Sequence, residues 1–198
     1  MSRKQMTRPG GRSARVQAAV HSAVRELLAE LGRDALTVPL VAQRADVTPS
    51  TIYRRWGDLA ELLSDVAVER LRPDGEPEDH GDLRSDLTDW AEQFLDEMAS
   101  GSGRAYSRDA LLGDPDGSNA GRCSAYAAEQ IDTILARAVH RGENTPDTEA
   151  VIDRVVAPMM YRILFRPAGL DAAYARRLVT DLLDASAAGA RQARASRQ

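Results

Sequence analysis

The sequence predicts an all-α protein of about nine helices, arranged as a small three-helix head on a larger helical body. Three observations predict it. Ala, Leu, Arg, Glu and Asp dominate and aromatics are only 5%, which favours helix over sheet. Apolar residues recur at three- and four-residue steps, and nothing alternates with period two for long enough to form a strand. Gly, Pro and Asp clusters interrupt those steps at helix-length intervals, without any repeat of solenoid length.

Residues 1–12 are polar, basic and Gly/Pro-bearing and read as a flexible arm. From Ser13 a first helix carries Val16, Val20, Val24, Leu27 and Leu31 on one stripe, and Gly32 stops it. Thr37 is a good N-cap for a short second helix, with Pro39 tolerated in its first turn and Leu40, Val41 and Ala45 on its buried side. A turn at Asp46-Val47 leads to a third helix from about Thr48 to Trp56, opened by another capping hydroxyl and an early proline. Gly57-Asp58 ends the head, residues 13–57, and starts a connecting helix over 58–72 with Leu59, Leu62, Leu63, Val66 and Leu71 in helical register.

Residues 73–82, PDGEPEDHGD, form an acidic loop that reads as the seam of the chain. The body, 83–190, is expected to hold helices near 83–99, 104–113, 118–141, 147–166 and 171–188, with the low-complexity tail frayed. Pro158 falls inside the fourth of these and should kink it.

Charge divides along the same line. Residues 1–56 hold ten basic and four acidic side chains, whereas the remainder holds sixteen basic and twenty-six acidic ones. A basic head on an acidic body suits a partner polyanion that meets only the head. The lone cysteine, Cys123, forms no internal disulfide, so a reducing, cytoplasmic setting is expected. The N-terminus carries no signal-peptide core, and no run of about 18 apolar residues offers a membrane span. His21, His80 and His140 are scattered without metal-ligand spacing, and no nucleophile elbow, phosphate loop or dinucleotide fingerprint is present. Neither an enzyme, nor a metal site, nor a cofactor is expected.

The informative stretch is 37–56, TVPLVAQRADVTPSTIYRRW. Two short helices joined by a tight turn allow the first to brace the second, which can then lie in a DNA major groove and present its leading residues to base edges. Residues 48–56 have the right character: Thr48, Pro49, Ser50 and Thr51 lead, Tyr53, Arg54 and Arg55 follow, and Ile52 and Trp56 face inward as anchors.

At these residues the sequence resembles the tetracycline-repressor (TetR) family. The family's capping Thr, Ile/Val-Ala pair and Ala-Gly-Val turn are matched by Thr37, Val41-Ala42 and Ala45-Asp46-Val47, and its Ser/Thr-x-x-Thr-Ile/Leu-Tyr-x-x-Phe/Trp run by Thr48 to Trp56. The match is specific over 13–71; beyond it, APMMYRILF and GLDAAYARRLVTDLL look like the last two helices of a TetR sensor domain. Two positions depart: Asp46 stands where the family has Gly, and Leu59 where it has a phosphate-touching Lys.

The resemblance implies a sequence-specific regulator, normally a repressor, released from a palindromic operator in double-stranded DNA by a small-molecule effector. It implies phosphate contact for Tyr53 and Thr37, groove or backbone contact for Arg44, and base-edge and phosphate contacts for Thr48, Pro49, Ser50 and Thr51. Arg54 and Arg55 point about 100° apart, so one of them, Arg54, is expected on DNA. The arm with Arg3, Lys4, Arg8 and Arg12 is a candidate for the adjoining minor groove. A homodimer through the last two helices, about 147–188, follows by resemblance. Their apolar content agrees: Val151, Ile152, Val155, Val156, Met159, Met160, Ile163, Leu164 and Phe165 cover more than one side, and Tyr174, Leu178, Leu182, Ala185 and Gly189 form a stripe. Candidate effector-lining residues are Trp90, Phe94, Met98, Tyr106, Tyr126, Met160 and Tyr161. The alternative reading is a helical redox or protein-interaction module that does not bind DNA, with Cys123 as the redox group.

Overall fold

A computed structural model describes residues 11–195, and the side chains through 188. The described residues form helices and no strand: α1 (Gly11–Leu31), α2 (Val38–Arg44), α3 (Pro49–Trp56), α4 (Leu59–Arg70), α5 (Leu83–Ala99), α6 (Gly101–Leu112), α7 (Ser118–His140), α8 (Thr148–Val151), α9 (Ala157–Phe165) and α10 (Ala172–Ala195). A π-helical turn, Ile152–Val156, fuses α8 and α9 into one rod, so the ten segments make nine rods. The last rod runs to Ala195, so the expected fraying of the tail is not seen there.

The head core gathers Val20, Val24 and Leu27 of α1, Val41 of α2, Ile52 and Trp56 of α3, and Leu62 and Val66 of α4. Two expected members differ. Leu31, the last residue of α1, is exposed, and Leu40 projects outward while Val38, Val41 and Ala42 fill the interior. Leu59 packs against this core instead of reaching outward, which accounts for an apolar residue where the family has Lys. At the turn, Asp46 has φ 53, a left-handed conformation that a short polar side chain tolerates at some cost.

The body core joins α5, α7, the α8–α9 rod and α10. Val151, Val155, Met159 and Ile163 are all buried, each four residues from the next. In an ideal α-helix a step of four overruns the turn by about 40°, so the last of the four would drift about 120° around the rod. The wider π turn takes back most of that drift and keeps all four on one face. It ends one residue short of Pro158, which has no N–H to give the carbonyl of residue 154. The expected disturbance at Pro158 therefore takes this form. In α10 the buried face is Ala175, Val179 and Leu182, leaving Tyr174 and Leu178 half-buried and Ala185 exposed.

Head and body meet where α4 lies along α6. Gly101-Ser102-Gly103, expected as a break, is instead the first turn of α6, capped by Ser100 Oγ accepting from Gly103 N at 2.8 Å. At the other end of α6, a Cβ on Gly113 would stand 1.9 Å from the carbonyl oxygen of Ala60. Only glycine permits that approach, and it sets where the first turn of α4 sits.

Candidate nucleic-acid interface and body cavity

Thr37 caps α2, its hydroxyl accepting from Leu40 N at 3.4 Å. Thr48 occupies the N-cap of α3; its carbonyl accepts from Thr51 N at 2.9 Å, but its hydroxyl makes no hydrogen bond to the helix backbone. Its hydroxyl lies 2.9 Å from Ser50 Oγ and 3.0 Å from Thr51 Oγ1, so three hydroxyls form an exposed knot at the tip. Each such group can donate and accept. Ile52 is fully buried and Trp56 nearly so, which turns Tyr53 and Arg54 outward; Tyr53 is 49% exposed.

The two arginines divide as their spacing predicts. Arg55 reaches back to α1, donating to Ser13 Oγ at 2.7 Å and Gln17 Oε1 at 2.6 Å, with its guanidinium 5.1 Å from the Trp56 ring. Arg54 has no hydrogen bond or ion pair among the described residues. Arg44 is engaged: its guanidinium lies 2.9 and 2.7 Å from the two Glu30 oxygens and 3.2 Å from Glu26. These three bonds use three of its five N–H donors and hold it toward α1. Arg12 lies exposed in the first turn of α1, whereas Arg3, Lys4 and Arg8 lie outside the described residues.

One carboxylate fastens the back of this unit to the body. Asp65 Oδ2 on α4 accepts from Trp56 Nε1 at 2.8 Å, His21 Nε2 at 3.0 Å and Gln17 Nε2 at 3.1 Å, while Oδ1 faces Arg122 of α7 at 3.4 Å. Nearby, Asn119 Nδ2 donates to Ser64 Oγ, which donates to the Ala110 carbonyl, and Arg33 pairs with Asp109. Burial alone would push the Asp65 carboxyl up, but the hydrogen bonds from His21 and Trp56 and the nearby positive charges hold it well below the usual carboxylate range. A carboxyl with a lowered folded pKa stabilises the protein above its unfolded pKa and loses that contribution as pH falls. Chemical unfolding is therefore expected to become easier below about pH 4, and less steeply so in Asp65→Asn. Equal acid sensitivity of the two proteins would refute this role. The sequence reading missed Asp65 because its partners lie on three other helices and no local spacing announces them.

The body holds a partly open cavity of about 450 Å³ between α5, α6, α7, the end of α4 and the 73–78 loop. Trp90, Phe94, Met98, Tyr126 and Met160 line it. Tyr106 does not; it packs with Ala67, Val68 and Ala110 between α4 and α6. Tyr161 is also outside, 57% exposed and tilted against Phe165 on the outer side of α9. The acidic loop, expected only as a seam, is a wall: Arg137 holds the Pro77 carbonyl at 2.6 Å and Glu76 at 2.8 Å, and Gln130 holds the Gly75 carbonyl at 2.9 Å. Cys123 also lines the cavity, and burial pushes its thiol up.

Residues 77–182 match the family model described as the tetracyclin repressor-like C-terminal domain, and residues 21–66 match that of bacterial regulatory proteins of the tetR family. The chain belongs to the TetR family. It is a TetR-family transcriptional regulator with a helix-turn-helix DNA-binding domain. Among its relatives is the HTH-type transcriptional regulator YdeS of Bacillus subtilis, 28% identical over 175 residues, which span 81% of this chain and 84% of YdeS. The HTH-type regulator Rv1556 of Mycobacterium tuberculosis is 40% identical over 72 residues, 36% of each chain. The solved TetR family transcription regulator SCO0332 superposes with a TM-score of 0.63 at 27% identity, covering 85% of this chain and 97% of its own. Among the described residues, no helix of this TetR-family chain is long and apolar enough to cross a membrane.

Proposed function

We propose that this regulator is an operator-binding repressor that acts as a homodimer in the cytoplasm. Two heads present α3 to successive major grooves of a palindrome, and a small molecule in the body cavity releases them. The observation that carries this reading is the outward side of α3. Its hydroxyl tip, Tyr53 and Arg54 face solvent on a helix anchored by Ile52 and Trp56 and braced by α2. Tyr53 and Thr37 suit phosphates, while Thr48, Pro49, Ser50, Thr51 and Arg54 suit base edges and the nearby backbone.

One head covers only a few base pairs, so specific affinity needs two at fixed spacing. The α9 face with Tyr161 and Phe165, together with the flank of α10, is the apolar surface proposed to meet a second copy. The effector acts by differential binding: a guest that favours a head spacing unable to span both half-sites lowers DNA affinity. The redox alternative finds no support in Cys123, whose raised pKa disfavours the reactive thiolate.

In vitro selection of bound DNA tests the reading and is expected to yield a near-palindrome with half-sites about one to one and a half turns apart. On that DNA, Tyr53→Phe should weaken all sequences alike, by about fivefold to tenfold for one lost hydrogen bond. Thr51→Ala should instead change the preferred base at its position. Selection without enrichment, or uniform weakening by both substitutions, would overturn the proposal.

A further inference from the structure

We infer that the body cavity takes an organic cation, a molecule with a positively charged head and an aromatic or alkyl body. This rests on reading the cavity as the effector site and names the chemistry of the effector.

The walls supply negative charge from two directions. Asp74, Glu76 and Glu78 come from the loop and Asp89 and Glu97 from α5, and no Lys, Arg or His is among the described lining residues. Two of the five are already compensated: Arg137 lies 2.8 Å from Glu76, and His80 lies 3.2 Å from Asp89. Asp74, Glu78 and Glu97 have no ion-pair partner among the described residues. The rest of the wall is aromatic and soft. Trp90 and Phe94 stack at 5.4 Å and 27°, Tyr126 comes from α7, and Met98 and Met160 are close by.

These two sets of groups favour one kind of guest. Ring faces carry negative potential and attract cations, most strongly where water is excluded. A bound anion would lose its hydration next to carboxylates of its own sign. A neutral apolar guest would use the rings and leave the carboxylates idle. A bare metal ion needs several oxygens converging on a point, and among the described residues no three carboxylate, thiol or imidazole groups converge in that way. Diffuse negative charge around an aromatic wall suits a bulky cation whose charge is spread over its surface. The volume of about 450 Å³ falls within the range of drug-sized sites.

Tetraphenylphosphonium and tetraphenylborate share a shape and differ in sign, so they isolate the charge. Titrated into the full chain and followed by calorimetry, the phosphonium is expected to bind about tenfold more tightly than the borate, the order that a partly shielded cation–π contact supplies. Glu97→Gln should weaken the phosphonium roughly threefold through lost charge attraction. Asp184→Asn, which removes a carboxylate on α10 away from the cavity, should leave it unchanged. Equal binding of the borate, no binding of the phosphonium, or indifference to Glu97→Gln overturns the inference. A phosphonium that binds with these features but does not release DNA refutes the effector role while leaving the cation preference intact.

Discussion

Tyr161→Asp combined with Phe165→Asp is expected to convert the protein to monomers and to weaken binding to its palindrome by roughly a thousandfold, the lower end of the gap between specific and non-specific DNA affinity. Both rings stand on the outer side of α9, with Phe165 69% exposed, while Met159 and Ile163 of the same helix face the body core. The substitutions should therefore leave the fold intact, as helical content and thermal unfolding would show. Burying a carboxylate against an apolar copy of the same face is costly unless it finds a partner. Sedimentation velocity and a gel-shift titration read the two consequences together. A double variant that stays dimeric and binds DNA at full strength would remove α9 from the interface.

Gly113→Ala is expected to destabilise the protein by about 3 kcal/mol or more, because the added methyl would collide with backbone that has no room to yield. The atom it would meet is the Ala60 carbonyl oxygen, with the Glu61 nitrogen 2.8 Å away. Relief requires α4 to move off α6, and α4 carries Leu62 and Val66 into the head core. For a chain of this size that corresponds to a fall in melting temperature of about 6–12 °C. The same exchange at Gly121 on α7 provides the contrast. A Cβ there meets nothing within 4 Å, so Gly121→Ala should stabilise by about 0.5–1 kcal/mol through helix propensity alone. A Gly113→Ala melting curve that stays put or rises with that of Gly121→Ala would show that the α4–α6 contact is looser than described.

The head was legible in the sequence because its determinants are local. Thr37 caps its own helix, Ile52 and Trp56 are four apart and both turn inward, and adjacency sets Arg54 and Arg55 about 100° apart, although it is Ser13 and Gln17 of α1 that decide which one turns back. The partners of Arg44 were not legible. Glu26 and Glu30 sit on α1, and only the packing of α1 on α2 brings them to the guanidinium. Tyr106 and Tyr126 look equivalent as helix-borne aromatics, yet the first fills the seam between α4 and α6 and the second faces the cavity. That choice depends on helix rotation, which spacing within one helix cannot fix. The steps of four from Val151 to Ile163 did carry a readable sign, since an ordinary helix cannot keep them on one face.

The loop after α4 has a mechanical consequence. Leu71, Pro73 and Asp74 both terminate the helix that carries the head and touch whatever fills the space beneath it. With 12 residues, α4 is a lever about 18 Å long. A guest that pushes the loop end by about 3 Å tilts this lever by roughly 10°, and the head packed on α4 turns with it. The pivot is the glycine contact between α6 and Ala60, close to the far end, so pressure from a guest at Leu71 works on the long arm. In the proposed twofold pair the same turn occurs in both copies, so the two tip displacements add along the line that joins the tips.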